Sequence, residues 1–537
     1  MWAGQKSLHY QVHVADEVGP RCCVCKVLLL EYLTVGQSAK AALYMGLNHL
    51  CRNMSACYGS RMMFSGLAAA LAAVFVACSS PAAPAELRGQ PPVASAAVPA
   101  NSGLVCNVDR RGPGAASAPQ TYRYVSTTQV GTTWAGQPVG QGILVAGNTQ
   151  YVAYYDASRR LVVKSRVGAA SWVTKVLDTS VGWDSHNYVT MELDARGNLH
   201  VAGNMHVSNL NYYITSAPGN VATLTRVPTL VNAKLESAVT YPQFLKSASG
   251  ELFFMFRNGG SGNGSNYVYR FVTATGSWQL VTSGALLDGQ GQSSAYSRAP
   301  IAGPDGYFHM VWMWRDTPDV ATNHSLSYAR TKDFVHWQNA MGADLNLPLT
   351  RQSPTMVDPA AVGSGLSNSI VRLGFDGAKR PVISYTRYDA ARGNQLFLAR
   401  ADNLGTWHRA QVTRWSGVFP VTGTGSIQFP FSAGTAQPAA NSTLQLSYSC
   451  LGKGRTIVLD ETSLQVKSDT RSVSPLVGKP VLPVLRNDPQ LVTNKASTTA
   501  GKSLYILQWR SMPLNNDKPR AVIPPAEPLL ILEYKSD

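Results

Sequence analysis

Apolar and polar positions alternate along most of this chain in short runs, broken by turns rich in glycine, asparagine and serine, as in "LHVAGNMHVSNLNYYITSAPGNVATL" at residues 199–224. Period-two alternation over a few residues marks half-buried strands rather than helices. Five stretches of this kind align, at 150–172, 199–224, 252–278, 308–337 and 381–407. Each holds an apolar strand, a polar loop, a second alternating strand and a turn closing on Trp172, Leu224, Trp278, Trp337 or Trp407. Successive markers stand 52, 54, 59 and 70 residues apart. A repeat of that period built from strands and turns predicts an all-β fold, a β-propeller. The span from Thr121 to Tyr534 has room for seven blades closed around a central axis.

The repeat also assigns positions. In a propeller the equivalent ends of successive blades meet at one face. The first strand of each copy ends at Tyr155, His206, Arg257, Arg315 or Arg387, so these residues are expected around a single opening. Aligning the preceding strands on Gly197, Gly250 and Gly306 puts Tyr188, Tyr241 and Ser297 in register, with His186 and Tyr296 beside that register. The stretch "HNYVTMELDARGNLHVAGNMH" opens and closes with histidine, at His186 and His206. Both are therefore expected to face the cleft, whereas His200 and His309, in mid-strand, are expected to be structural.

Composition sharpens this picture. Hydrophobic residues make up 45% and charged residues 14%, so a large core is available. Net charge is +16, which favours anionic partners. There is no run of lysine and arginine and no nucleic-acid motif, so nucleic acid is not expected as a partner.

The N-terminal quarter reads differently. "MFSGLAAALAAVFVAC" at 63–78 follows Arg61 and ends in Phe75-Val76-Ala77-Cys78, which resembles a lipobox with Cys78 as the lipidated residue. The apolar run is shorter than the roughly 20 residues a membrane span needs. Residues 1–53 are read as an extension without an assigned fold, 54–78 as a lipoprotein-type signal peptide, 79–115 as a Pro/Ala/Ser tether and 116–537 as the propeller. A plain signal peptide cleaved near Ala83 is the alternative. The expected product is an exported monomer on the outer membrane, touching the membrane only through a lipid anchor, or else a secreted one. Past Cys78 only Cys106 and Cys450 remain. They either pair in an oxidising compartment, stapling the beginning of the fold to a late segment, or stay as two buried thiols.

The pieces "SHNYVTMELDARGNLHVAGNMH", "TYPQF", "FMFRNGGSGNGSNYVYRF", "SSAYSRAPIAGPDGYFHMVW" and "LQWRSMPLNNDKPR" resemble, in this order, the BNR-4 propeller group of polysaccharide lyases, which includes ulvan lyases. "TKDFVHW" and "ADNLGTW" are degenerate Asp-box turns of the kind found in sialidase-type blades. The resemblance implies β-elimination at a bond 4-linked to a uronic acid in an acidic, rhamnose- and uronate-containing polysaccharide. That chemistry needs a cation on the carboxylate, a base for the C5 proton and an acid for the leaving oxygen. By resemblance Arg257 neutralises the carboxylate, Tyr241 is the acid/base, His186 its partner, His206 a second cleft histidine and Tyr296 a supporting tyrosine. Asn187, Asn258, Arg298 and Arg315 are expected to contact substrate. Whether histidine or tyrosine takes the proton stays open. No cofactor is expected. Some relatives hold a structural metal with a cysteine ligand, but no cysteine lies between Cys106 and Cys450, so no metal is expected either. Two other readings compete. A sialidase-like hydrolase would use Arg257, Arg315 and Arg387 as a triad, with Asp184, Glu192 or Asp316 as the nearest acids. A propeller that only binds glycans would use no chemistry at all.

Overall fold

The computed structural model describes residues 12–16, 26–30, 103–106, 121–483, 488 and 490–536. The chain divides into two units, Met1–Ala94 and Ser95–Asp537. In the first, Val12–Asp16 and Lys26–Leu30 pair as an antiparallel hairpin, within the stretch to which the sequence assigned no fold. The signal peptide with Cys78, and most of the tether, lie outside the described residues.

The second unit is all-β, with seven sheets among its described residues. In chain order, leaving aside the short His206–Ser208, the first strands of the first six sheets are Gly142–Ala146, Val189–Leu193, Val239–Lys246, Ser294–Ser297, Arg372–Phe375 and Phe431–Ala433. The five aligned stretches are the second and third strands of the first five sheets, and each marker residue sits at or beside the fourth strand. Every residue of Phe308–Arg315 and of Asn394–Ala401 is buried. These central strands are covered on both faces by neighbouring sheets, which is why they read as nearly continuous apolar runs. The outer strand Val173–Ser180 is mostly exposed and correspondingly polar.

Period two decides where each side chain goes. In Leu252–Asn258, Leu252, Phe254 and Phe256 join the core shared with the second sheet. Phe253 and Met255 point the other way, into the core shared with the fourth. Each such side chain stabilises the fold by about 1.5–3 kcal/mol. Similar clusters fill the spaces between the first and second, fourth and fifth, and fifth and sixth sheets.

The seventh sheet joins the two ends of the unit. Tyr122–Thr133 pairs antiparallel with Glu527–Ser536, followed outward by Ser503–Ser511 and Val492–Ala500. Val492–Ala500 lies against Gly142–Ala146, the first strand of the first sheet.

One open choice is decided here and two expectations change. Cys106 and Cys450 do form a disulfide, with Cα atoms 6.0 Å apart. Cys450 ends a strand of the sixth sheet, so the bond reaches a late segment, while backbone pairing joins the two ends of the unit. The tether drawn through residue 115 has a folded portion: Leu104 enters the core between the fifth and sixth sheets, and Val105 bridges Ser416. Finally, His206 does not end a strand of the second sheet. After Gly203 the chain crosses over, and His206–Ser208 pairs with Val239 and Thr240 of the third sheet. Asn204, with φ 60°, makes that crossing at the end of the strand.

Candidate active site

In an antiparallel pair the start of one strand faces the end of the next. Thr240 therefore opposes Arg257, and Ser294 opposes Arg315. This brings the first-strand tyrosines and the second-strand arginines to one end of the sheets. A cavity of about 130 Å³ opens there, lined by His186, Tyr241, Tyr296, Arg315, Asn368 and Ser426, with Phe429 and Leu514 among its apolar neighbours.

The backbone is bent to serve it. Tyr241 has φ 57°, in the left-handed region that non-glycine residues rarely adopt, and the strand register shifts between Thr240 and Gln243. A bulge of this kind re-aims a side chain that regular pleating would send elsewhere.

Two rows of rings define the site. The His186 and His206 rings stack with centroids 4.4 Å apart, and Tyr241 stands 5.7 Å from His186. Tyr296 stands 5.9 Å beyond Tyr241. The Arg257 guanidinium carbon lies 4.9 Å from the Tyr241 centroid and 5.5 Å from that of Tyr296. Arg315 is closer still to Tyr296, at 3.8 Å. His186, His206, Tyr241, Arg257 and Tyr296 are thus brought together as the sequence anticipated, and Arg315 joins them.

Asp184 organises the histidines. His186 Nδ1 donates to its Oδ1 at 2.6 Å, and His206 Nδ1 donates to its Oδ2. Burial alone would raise the Asp184 carboxyl, but the two imidazoles outweigh it and hold it well below the usual carboxylate range. An ionised Asp184 fixes the proton of each ring on Nδ1, which leaves Nε2 free to accept. Asp517 supports the same corner. It accepts from the Ser185 backbone N–H at 2.9 Å and the Ser426 N–H at 2.8 Å, and its Oδ2 lies 3.5 Å from His186 Nδ1. Asp184, His186 and His206 also carry donor atoms within 4.8 Å of one another, a spacing that suits a metal ion. Both carboxylate oxygens of Asp184 are already engaged by imidazole hydrogens, which accounts for that spacing without one.

The arginines differ in their support. Arg257 is fully buried, and both of its terminal nitrogens lack a hydrogen-bond acceptor in the protein. Its Nε donates to the Gly259 carbonyl at 3.1 Å. A Cβ on Gly264 would come within 2.8 Å of Arg257 Cδ, so glycine there leaves room for the arginine. Arg315 donates to Asn323 Oδ1 and to Asn368 Oδ1, each at 2.7 Å.

The two tyrosines are pushed apart in acidity. Burial raises the Tyr241 phenol above its ordinary value. Burial acts the same way on Tyr296, but the Arg315 and Arg257 cations and a hydrogen bond with Ser261 overcome it and lower that phenol.

Other candidates lie elsewhere or do other work. Arg298 donates to the carbonyls of Asn368 at 3.1 Å and Ser369 at 2.5 Å, so it braces the cavity wall. The Asn187 carbonyl accepts from Tyr155 OH at 2.5 Å, and Asn258 sits in the ladder between Val239 and Ser265. Tyr155 is buried packing. Arg387 pairs with Asp358 at 3.0 Å, and Asp316 with His324 at 3.0 Å. Glu192 lies 3.5 Å from Lys246. His200 and His309 are fully buried, each hydrogen-bonded to a tyrosine at 2.5 Å. Asp517, Ser261, Asn368 and Ser426 received no role from the sequence. Asp517 and Ser261 do fall inside the ordered motifs, whereas nothing in the pattern marks Asn368 or Ser426.

Fold and site thus define an all-β, propeller-like protein with a His/Tyr/Arg cleft. Residues 149–415 match the family described as BNR repeat-containing family member. No curated protein matches the chain in sequence. Among solved structures it is similar to polysaccharide lyase Uly1, with a TM-score of 0.54, 14% identity and coverage of 77% of this chain and 99% of that one. It is also similar to a PL25 ulvan lyase bound to -[GlcA(1-4)Rha3S]-, with a TM-score of 0.50, 12% identity and coverage of 76% and 95%.

Proposed function

We propose that the second unit is a seven-bladed propeller that cleaves an acidic, uronate-containing polysaccharide by β-elimination at a bond 4-linked to the uronic acid. One observation carries this reading: a fully buried arginine, Arg257, whose guanidinium meets no carboxylate, stands beside two tyrosines and a stacked histidine pair. A guanidinium whose charge no carboxylate cancels suits one brought by the substrate. Withdrawing charge from that carboxylate makes the C5 proton removable. Tyr241, kept protonated by burial, suits donation to the leaving oxygen. His186 and His206 have Nδ1 committed to Asp184, which leaves Nε2 of each as the nitrogen able to act on substrate.

The hydrolase reading finds less support. Arg387 is occupied by Asp358 and is not among the residues lining the cavity, as Arg315 is. Asp184 and Asp517 are committed to hydrogen bonds and leave no free pair of carboxylates. The likeness to two lyases, one of them bound to a glucuronate-containing fragment, agrees with elimination.

The deciding experiment incubates the purified chain with uronate polysaccharides and follows the ultraviolet absorbance of the unsaturated product. Sugar release without that absorbance would instead mean hydrolysis, and binding without release would mean a glycan-binding propeller. We further propose export as a monomeric lipoprotein lipidated at Cys78, a reading in keeping with the Cys106–Cys450 disulfide. Mass analysis of membrane-extracted protein should find a lipid-modified N-terminus at Cys78; an unmodified chain beginning near residue 84 would point to plain secretion.

A further inference from the structure

We propose, resting on the elimination reading above, that Tyr296 is the group that takes the C5 proton and that Arg315, set against its ring, is the positioning residue for it. The argument starts from what faces the Tyr296 ring. Arg315 lies 3.8 Å from its centroid and Arg257 5.5 Å. The Ser261 hydroxyl lies 2.6 Å from its phenol oxygen and can donate to a phenolate. Tyr241, 5.9 Å away, is the other titratable ring against it.

Neither cation is neutralised by a hydrogen-bonded carboxylate. Arg315 is gripped by two amide oxygens, from Asn323 and Asn368, and Arg257 by the Gly259 carbonyl. Neutral acceptors fix a guanidinium in place without cancelling its charge. The acids on the same elements are engaged elsewhere. Asp316 pairs with His324 and Arg351, and Asp319 accepts from the backbone of Ala321 and Gly423. Arg315 in turn helps to hold the Asp319 carboxyl low. Two tyrosines whose surroundings drive their acidities apart form an acid/base pair. Tyr296 falls on the accepting side and Tyr241 on the donating side.

The step balances. The Tyr296 phenolate oxygen bonds the C5 proton as the C5–H bond breaks. That electron pair becomes the C4–C5 double bond, the C4–O bond breaks, and the departing oxygen takes the Tyr241 proton. Tyr296 then loses its proton to solvent and Tyr241 regains one.

Two readouts on the full chain test this. In an ultraviolet tyrosinate titration, one tyrosine should ionise ahead of the rest. That signal should vanish in Tyr296→Phe and move to higher pH in Asn368→Asp, which sets a carboxylate against Arg315 at a half-buried position that tolerates it. Arg315→Gln should shift the signal the same way. In activity, Tyr296→Phe should lower kcat by roughly 10²–10⁴. Asn368→Asp should move the acidic limb of the kcat/KM profile upward, while Tyr241→Phe should leave that limb in place. An early signal that survives Tyr296→Phe overturns the proposal, as does an unmoved acidic limb in an Asn368→Asp protein whose signal has shifted. If the signal belongs to Tyr296 but no uronate polymer gives an unsaturated product, it is the elimination reading that fails, and the base role falls with it.

Discussion

At the scale of single residues, charge placement decides the chemistry. In the proposed elimination Tyr241 is the donor, so Tyr241→Phe should fold normally yet cut turnover by roughly 10²–10⁴. Full lyase activity in that variant, measured by product absorbance, would remove the assignment. Asp184 gives a prediction with a sign. Its folded carboxyl titrates below the unfolded value, which is about 3.9. The stability it contributes is therefore complete above that value and is lost as pH falls through the lower folded one. Asp184→Asn should lower Tm at neutral pH, and the gap to the parent protein should narrow in buffers near about pH 3. A gap that does not change with pH would show that the hydrogen bonds matter only for shape. Because both Asp184 oxygens are engaged by imidazoles, a chelator is expected to leave activity unchanged; loss of activity restored by a divalent ion would place a metal on that triad.

At the scale of elements, loops and cross-links hold the site to the sheets. The glycine-rich turn after Arg257 packs directly on its side chain. Gly264→Ala should push the guanidinium out of line and reduce kcat/KM far more than it reduces Tm, since the added methyl meets Arg257 Cγ at 2.9 Å and Cδ at 2.8 Å. An unchanged kcat/KM would show that Arg257 need not sit where it does. The disulfide holds residues 103–106 on the fifth and sixth sheets. Replacing Cys106 and Cys450 with serine should cost about 2–4 kcal/mol, because the bond closes a long loop in the unfolded chain. Denaturant melts of the two proteins would measure it.

At the scale of the whole molecule, the seventh sheet depends on both ends of the second unit. Glu527–Ser536 is its central strand, pairing with Tyr122–Thr133 on one side and Ser503–Ser511 on the other. A chain cut before Glu527 should lose the cooperative transition seen by circular dichroism. The leader through Cys78 carries 6 Lys/Arg and 3 Asp/Glu, so the proposed exported chain keeps 16 − 3 = +13, which should draw anionic polymers through long-range attraction. KM for an acidic polysaccharide is then expected to rise with ionic strength while kcat holds, as screening shortens the reach of those charges.

Period-two alternation and the tryptophan-marked repeat were enough to place the second and third strands of five sheets, because a strand's pattern records which of its faces are covered. The same register put His186, Tyr241, Arg257 and Tyr296 at one end of their sheets, since first-strand starts and second-strand ends must coincide in an antiparallel pair. The last two sheets escaped the repeat: the sixth lacks a closing tryptophan, and the seventh is assembled from both ends of the unit. Tertiary structure alone carried His206 across to the third sheet and set Asp517 beside His186. It also turned Arg298 into a brace and gripped Arg315 with two asparagines. A local pattern fixes where a side chain points on its own strand. Which distant partners meet it, and so which of two tyrosines gives up its proton, depends on how the sheets stand around one another.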